Sequence, residues 1–170
     1  YFVTPSGDDP VLYSSSKNHW FDFAEYNTKS LSKDSNISIE AISKLTELTE
    51  LVLHEHVLVA PQSSVTDISS LSSLTNLTSL YLRHSVTDIS SLSSLTNLTS
   101  LYLYADSWSK LGDFSVLSSL TNLTSLGLTV YSDSNLSPLL GLASLTSLHL
   151  VQDRGGWADI SVISGLTNLS

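Results

Sequence analysis

Isoleucine and leucine recur at every third position from Ile68 through Leu71 and Leu74 to Leu77, and the step then shortens to two at Leu80 and Leu82. The rhythm returns as Ile89, Leu92, Leu95 and Leu98 before Leu101 and Leu103. Residues 64–82 are repeated letter for letter as 85–103. A step of three is neither the strand period of two nor the α-helix period of 3.6. It predicts a tight 3₁₀-like return, in which residues i and i+3 eclipse, feeding a short strand whose alternate leucines point inward.

The L-x-L doublet fixes the register. It stands at Leu51/Leu53, Leu80/Leu82, Leu101/Leu103, Leu126/Leu128 and Leu148/Leu150, at spacings of 29, 21, 25 and 22 residues. The same three-step set precedes the other doublets: Ile39, Ile42, Leu45, Leu48; Phe114, Leu117, Leu120, Leu123; and Leu136, Leu139, Leu142, Leu145. A sixth set runs Ile160, Ile163, Leu166, Leu169. One coil cannot bury its leucines alone, whereas stacked coils bury them against each other in a continuous core. The predicted fold is an α/β solenoid with short parallel strands on its concave face and 3₁₀ or short helical returns on its convex face.

The pattern I-S-S-L-S-S-L-T-N-L-T-S-L-Y-L resembles a leucine-rich repeat, of the short-coil type of bacterial internalins and related surface proteins. LTNLTSLYL at 74–82 and 95–103 and LTNLTSLGL at 120–128 carry the resemblance, which covers roughly residues 36–170. Such repeats place an asparagine after the doublet, where its side chain bonds backbone along the stack. The corresponding turns here read RHSV after Leu82 and YADS after Leu103. An asparagine ladder is therefore not expected there, and hydroxyls such as that of Ser85 are expected to take part of its place.

The division expected is a solenoid over 36–170, with five complete coils and a truncated sixth, preceded by a non-repeating segment over 1–35. The aromatic residues of that segment (Tyr1, Phe2, Tyr13, Trp20, Phe21, Phe23 and Tyr26) suit either a cap on the first coil or the tail of a preceding domain. The absence of an initial Met and the stop at Ser170 suggest a longer precursor with further repeats or domains. Extra residues in a solenoid bulge out as loops. HEHVLVAPQSS after Leu53, YADSWSK after Leu103 and VQDRGGW after Leu150 all leave a strand at the same end and should line one rim, where scaffold-held loops carry binding residues.

The neighbours of the inward leucines face out from the strands. They are Glu50, Val52 and His54; Ser79, Tyr81 and Arg83; Ser100, Tyr102 and Tyr104; Ser125, Gly127 and Thr129; Ser147, His149 and Val151. With strands about 4.8 Å apart, Tyr81 and Tyr102 should stand side by side, with Arg83 and Tyr104 next to them. Tyr and Arg are enriched at binding hot spots, so Tyr81, Arg83, Tyr102 and Tyr104 are the candidate partner-binding residues, together with Trp108 on the rim and His149 on the face. The competing reading is that cross-strand tyrosines only shield the sheet.

Composition narrows the partner. Of the 170 residues 41% are apolar but only 14% charged, below the roughly 25% of an ordinary domain; serine and threonine fill the polar positions. A net charge of −9 repels phosphate backbones, which argues against nucleic acid. There is no run of about 20 apolar residues to span a membrane, no signal-peptide pattern at the start, and no cysteine. No nucleophile elbow, Walker loop or H-E-x-x-H motif suggests catalysis, and no cofactor is implied. His54-Glu55-His56 places two histidines on one face but lacks a third ligand. Asp67, Asp88, Asp113 and Asp159 open the returns and suit hydrogen bonding to the next free backbone N–H groups, as caps, rather than a calcium rail. Six N-x-[ST] sequons occur, at Asn36, Asn76, Asn97, Asn122, Asn135 and Asn168. Four belong to the repeat's own T-N-L step and count as one observation.

The resemblance implies adhesion or host-receptor contact. The chain is accordingly read as a non-enzymatic module recognising a protein or glycan at a cell surface or outside the cell, through the concave face and one loop rim. The alternatives are a structural spacer of a larger extracellular protein and a cytoplasmic regulatory repeat.

Overall fold

The computed structural model describes residues 3–6, 9–12, 42–54, 67–83, 86–105, 110–152, 156 and 158–170. Strands β1 (Val3–Ser6) and β2 (Asp9–Leu12) form an antiparallel hairpin. The rest of the N-terminal segment, where the aromatic cap was expected, lies outside the described residues.

From residue 42 onward the chain winds as foreseen. Strands β3 (Glu50–His54), β4 (Ser79–Arg83), β5 (Ser100–Tyr104), β6 (Ser125–Val130) and β7 (Ser147–Gln152) form one parallel sheet in chain order. The returns are 3₁₀ helices: η1 (Ser69–Ser73), η2 (Ser90–Ser94), η3 (Phe114–Ser119), η4 (Ser137–Gly141) and η5 (Ser161–Gly165). Register follows the doublets, with Leu51, Leu80, Leu101, Leu126 and Leu148 paired in sequence and Leu53, Leu82, Leu103, Leu128 and Leu150 beside them.

The period of three has a direct backbone cause. The N–H groups of Leu71, Leu74 and Leu77 donate to the carbonyls of Ile68, Leu71 and Leu74 at 2.9, 2.9 and 3.0 Å, and the other returns repeat the pattern. The residues that make the i→i−3 bonds are the residues that fill the core. Leu71, Leu74, Leu77, Leu92, Leu95, Leu98, Leu117, Leu120 and Leu123 are all completely buried. Burial is lower at Leu148, Leu150 and Ile163, which are half-buried, and at Ile160, which is 47% exposed.

Between coils, polar side chains take the place of charges. The carbonyl of Thr49 accepts from the N–H groups of Thr78 and Ser79 and from the Thr78 hydroxyl, at 2.7, 3.0 and 3.0 Å. The carbonyls of Thr78, Thr99 and Thr124 accept the same three donors from the following coil. A second ladder was not foreseen. The Nδ2 groups of Asn76, Asn97 and Asn122 donate to the carbonyls of Thr46, Thr75 and Thr96, each at 2.9 Å, and Asn168 donates to Ala143. The asparagine ladder thus exists, but at the T-N-L step before the doublet rather than in the turn after it. Four of the six sequon asparagines already use their amide nitrogen as a donor within the stack. Ser85 lies outside the described residues.

The acidic residues cap the returns. Asp67, Asp88, Asp113 and Asp159 each accept the N–H two residues on, at 2.8–2.9 Å, and Asn135 does the same for Ser137 at 3.0 Å. These backbone hydrogen bonds, assisted by the serine hydroxyl two residues on, hold the four carboxyls below their ordinary range.

Two outcomes follow for stability. Leu74→Ala or Leu95→Ala should cost about 2–5 kcal/mol through the cavity left between coils; in chemical denaturation, a loss below about 1 kcal/mol at both sites would contradict the packing. Ser144 occupies the place of the ladder asparagines, opposite the Thr121 carbonyl. Ser144→Asn should extend the ladder and raise stability by about 0.5–1.5 kcal/mol, read as a higher denaturation midpoint with an unchanged slope.

Candidate functional site

Repetition places Tyr81 and Tyr102 opposite each other in register, and Arg83 opposite Tyr104. The next two residues of the tyrosine column are Gly127 and His149. The rings do not stand in two separate columns. Tyr81 and Tyr102 have centroids 6.2 Å apart, Tyr102 and Tyr104 6.4 Å, and Tyr81 and Tyr104 5.7 Å across the diagonal. All three pairs are tilted, within the range where aromatic pairs attract beyond their buried area. Tyr104 also meets the His149 ring edge-on at 6.0 Å, and its hydroxyl lies 2.9 Å from His149 Nδ1.

Tyr104 spans two strands to reach β7 because Gly127 on β6 has no side chain. A Cβ built there would lie 2.6 Å from the Tyr104 hydroxyl oxygen and 3.2 Å from Tyr102 Cε1, and closer still to Tyr102 Cδ1. Gly127 is accordingly buried beneath the rings. Thr129, expected to face outward, is instead only 3% exposed. Its hydroxyl accepts the Ala105 N–H at 3.2 Å, which satisfies the one polar group that this burial would otherwise orphan.

Of the residues singled out from the sequence, Tyr81, Tyr102, Tyr104 and His149 come together. Arg83 is exposed beside them on β4, and Trp108 lies outside the described residues. His54 closes β3, while Glu55 and His56 lie outside. Among the described residues no three His, Asp or Glu side chains converge to hold a metal ion. Of the expected rim, Lys110 forms an exposed ion pair with Asp133 of the next coil, a kind of contact that contributes little.

Burial governs the phenols. Removal from water pushes the Tyr104 hydroxyl up to about 12, and its neighbours Tyr81 and Tyr102 add to the rise. Burial raises Tyr81 also, against a smaller opposing pull from Arg83. The phenols of Tyr81 and Tyr104 are therefore held neutral, with the Arg83 guanidinium beside them.

The family model described as Leucine Rich repeats (2 copies) matches residues 75–115. Among solved structures, internalin C2 of Listeria monocytogenes strain 4b F2365 is 31% identical, with a TM-score of 0.62 over 78% of this chain and 54% of that one. The internalin inlF of the same strain is also 31% identical, with a TM-score of 0.56 over 78% and 42%. The chain folds as a leucine-rich-repeat solenoid similar to these internalins. No curated protein matches it. The chain thus spans about half the length of the internalins it resembles. A leucine-rich-repeat fold is that of a protein-interaction module, and among the described residues no helix is long and apolar enough to cross a membrane.

The phenols make a prediction for alkaline pH. An unfolded tyrosine loses its proton near 10, so between 10 and about 12 the folded state holds a Tyr104 proton that the unfolded state has released. The stability from burying the neutral ring is complete below pH 10 and is lost as pH rises to about 12. Denaturation midpoints should fall over that window, and Tyr104→Phe should flatten the fall.

Proposed function

We propose that this internalin-like chain is a non-enzymatic recognition module acting at a cell surface, and that it binds a partner protein through the strand face at Tyr81, Tyr102, Tyr104 and His149. Arg83 on β4 flanks that contact. The observation supporting this is the convergence of four rings from three strands onto one rigid sheet. Large rings with few rotatable bonds, around a centre free of charge, are the composition of interface hot spots. A shielding role would require only the in-register Tyr81–Tyr102 pair and would leave the crossing of Tyr104 to His149 without a purpose. The likeness to internalins supports a surface location, and a rigid stack implies recognition with little backbone movement.

Fluorescently labelled chain titrated onto cultured epithelial cells would test this. Tyr81→Ala and Tyr102→Ala should each weaken binding by about 2 kcal/mol, roughly thirtyfold. Protease treatment of the cells should abolish binding, and glycosidase treatment should spare it. Unchanged binding by both variants would remove the reading, and the opposite enzyme pattern would make the partner a glycan.

A further inference from the structure

Gly112 and Gly127 each leave no room for a Cβ, but for different reasons. A Cβ at Gly112 would meet the carbonyl oxygen of Thr87 at 2.6 Å, and the Gly112 N–H donates to that same carbonyl at 2.8 Å. That neighbour is backbone and cannot give way, so Gly112 is needed for the fold. Gly127 differs, because what a Cβ would meet there is side chain only: the ring of Tyr102 and the far end of Tyr104. Its backbone is ordinary strand, paired with Tyr102 on one side and His149 on the other, with no positive φ. The strand has no conformational need of glycine at this position, and glycine weakens strand interiors.

We infer that Gly127 is a positioning residue of the recognition surface: its missing side chain lets Tyr104 leave its own column, cross β6 and reach His149, joining the rings of β4, β5 and β7 into one ridge. This rests on the strand face being the binding surface. Where coils 64–82 and 85–103 carry tyrosine, the next coil carries glycine, and the ridge is continuous because of that gap. A tyrosine or any other side chain at 127 would stand between Tyr104 and His149 and divide the face into two smaller aromatic groups.

The test compares Gly127→Ala with Gly141→Ala, whose added Cβ finds only ordinary contacts at 3.8–3.9 Å to Ser118. Both variants should fold, and Gly127→Ala should keep its thermal midpoint, because the rings rather than the backbone give way. In nuclear Overhauser spectra the cross-peak between the Tyr104 and His149 rings should vanish in Gly127→Ala and persist in Gly141→Ala. Spectrophotometric titration should show the phenol near 12 moving toward 10 in Gly127→Ala alone. Binding to epithelial cells should weaken at least tenfold in the same variant. Persistence of the cross-peak and of the high titration in folded Gly127→Ala would overturn the inference. So would failure of that variant to fold while Gly141→Ala folds, since the glycine would then serve the backbone. A lost cross-peak with undiminished cell binding would leave the geometry standing and sink the recognition reading instead.

Discussion

Each return leucine donates its N–H to the carbonyl of the core residue three positions earlier, and the rest of the structure depends on that bond. The i→i−3 connection makes side chains three apart eclipse, so a chain with leucine at every third position has one apolar edge and no choice about which edge faces inward. The hydrogen bonding and the packing cannot be separated. A single-residue insertion within a return would move both donor and leucine off the edge, which explains why the extra residues all fall after the strands. It also explains why the spacing can vary from 21 to 29 residues without disturbing the register of the doublets.

The low charge follows from how coils are joined. A coil in a stack needs lateral partners for its backbone groups, and threonine, serine and asparagine supply them over short reach with little rotamer entropy to lose. Three donors from one coil converge on a single threonine carbonyl of the coil before it, four times over. Lysine or glutamate at these positions would keep its charge in water and contribute little to the joint. Four aspartates instead stand where a return begins, and there their role is local: each bonds the N–H two residues on.

Most of the stack was legible because leucine periodicity constrains backbone and burial together. Strand order, register, inward leucines and capping aspartates all follow from it. What was not legible depends on the direction and length of individual side chains. Asn76, Asn97 and Asn122 were noticed as sequons, and nothing in a one-dimensional pattern says that an exposed amide reaches the carbonyl of another coil. Thr129 was assigned outward by alternation. Alternation does not reveal that it is buried, with its hydroxyl taking the Ala105 N–H. The signal for Gly127 was present, as the change from LTNLTSLYL to LTNLTSLGL, but its meaning requires knowing that Tyr104 is long enough to use the space.

A stack of identical coils makes identical rows, and identical rows distinguish no position from any other. The duplicated coils alone would give a uniform column of tyrosines in register, able to pair with their neighbours and little more. The face acquires a particular shape where the repetition is broken, at Gly127 and His149, and only because the preceding coils supply rings that fall toward the break. Tyr104 is itself such a departure, since the equivalent residue one coil earlier is Arg83. The exact copies therefore fix a rigid frame, and the three departures from copying set one region of it apart. In a protein with no cleft-forming second domain among its described residues, a surface of this kind arises by removing a side chain from a regular row as readily as by adding one.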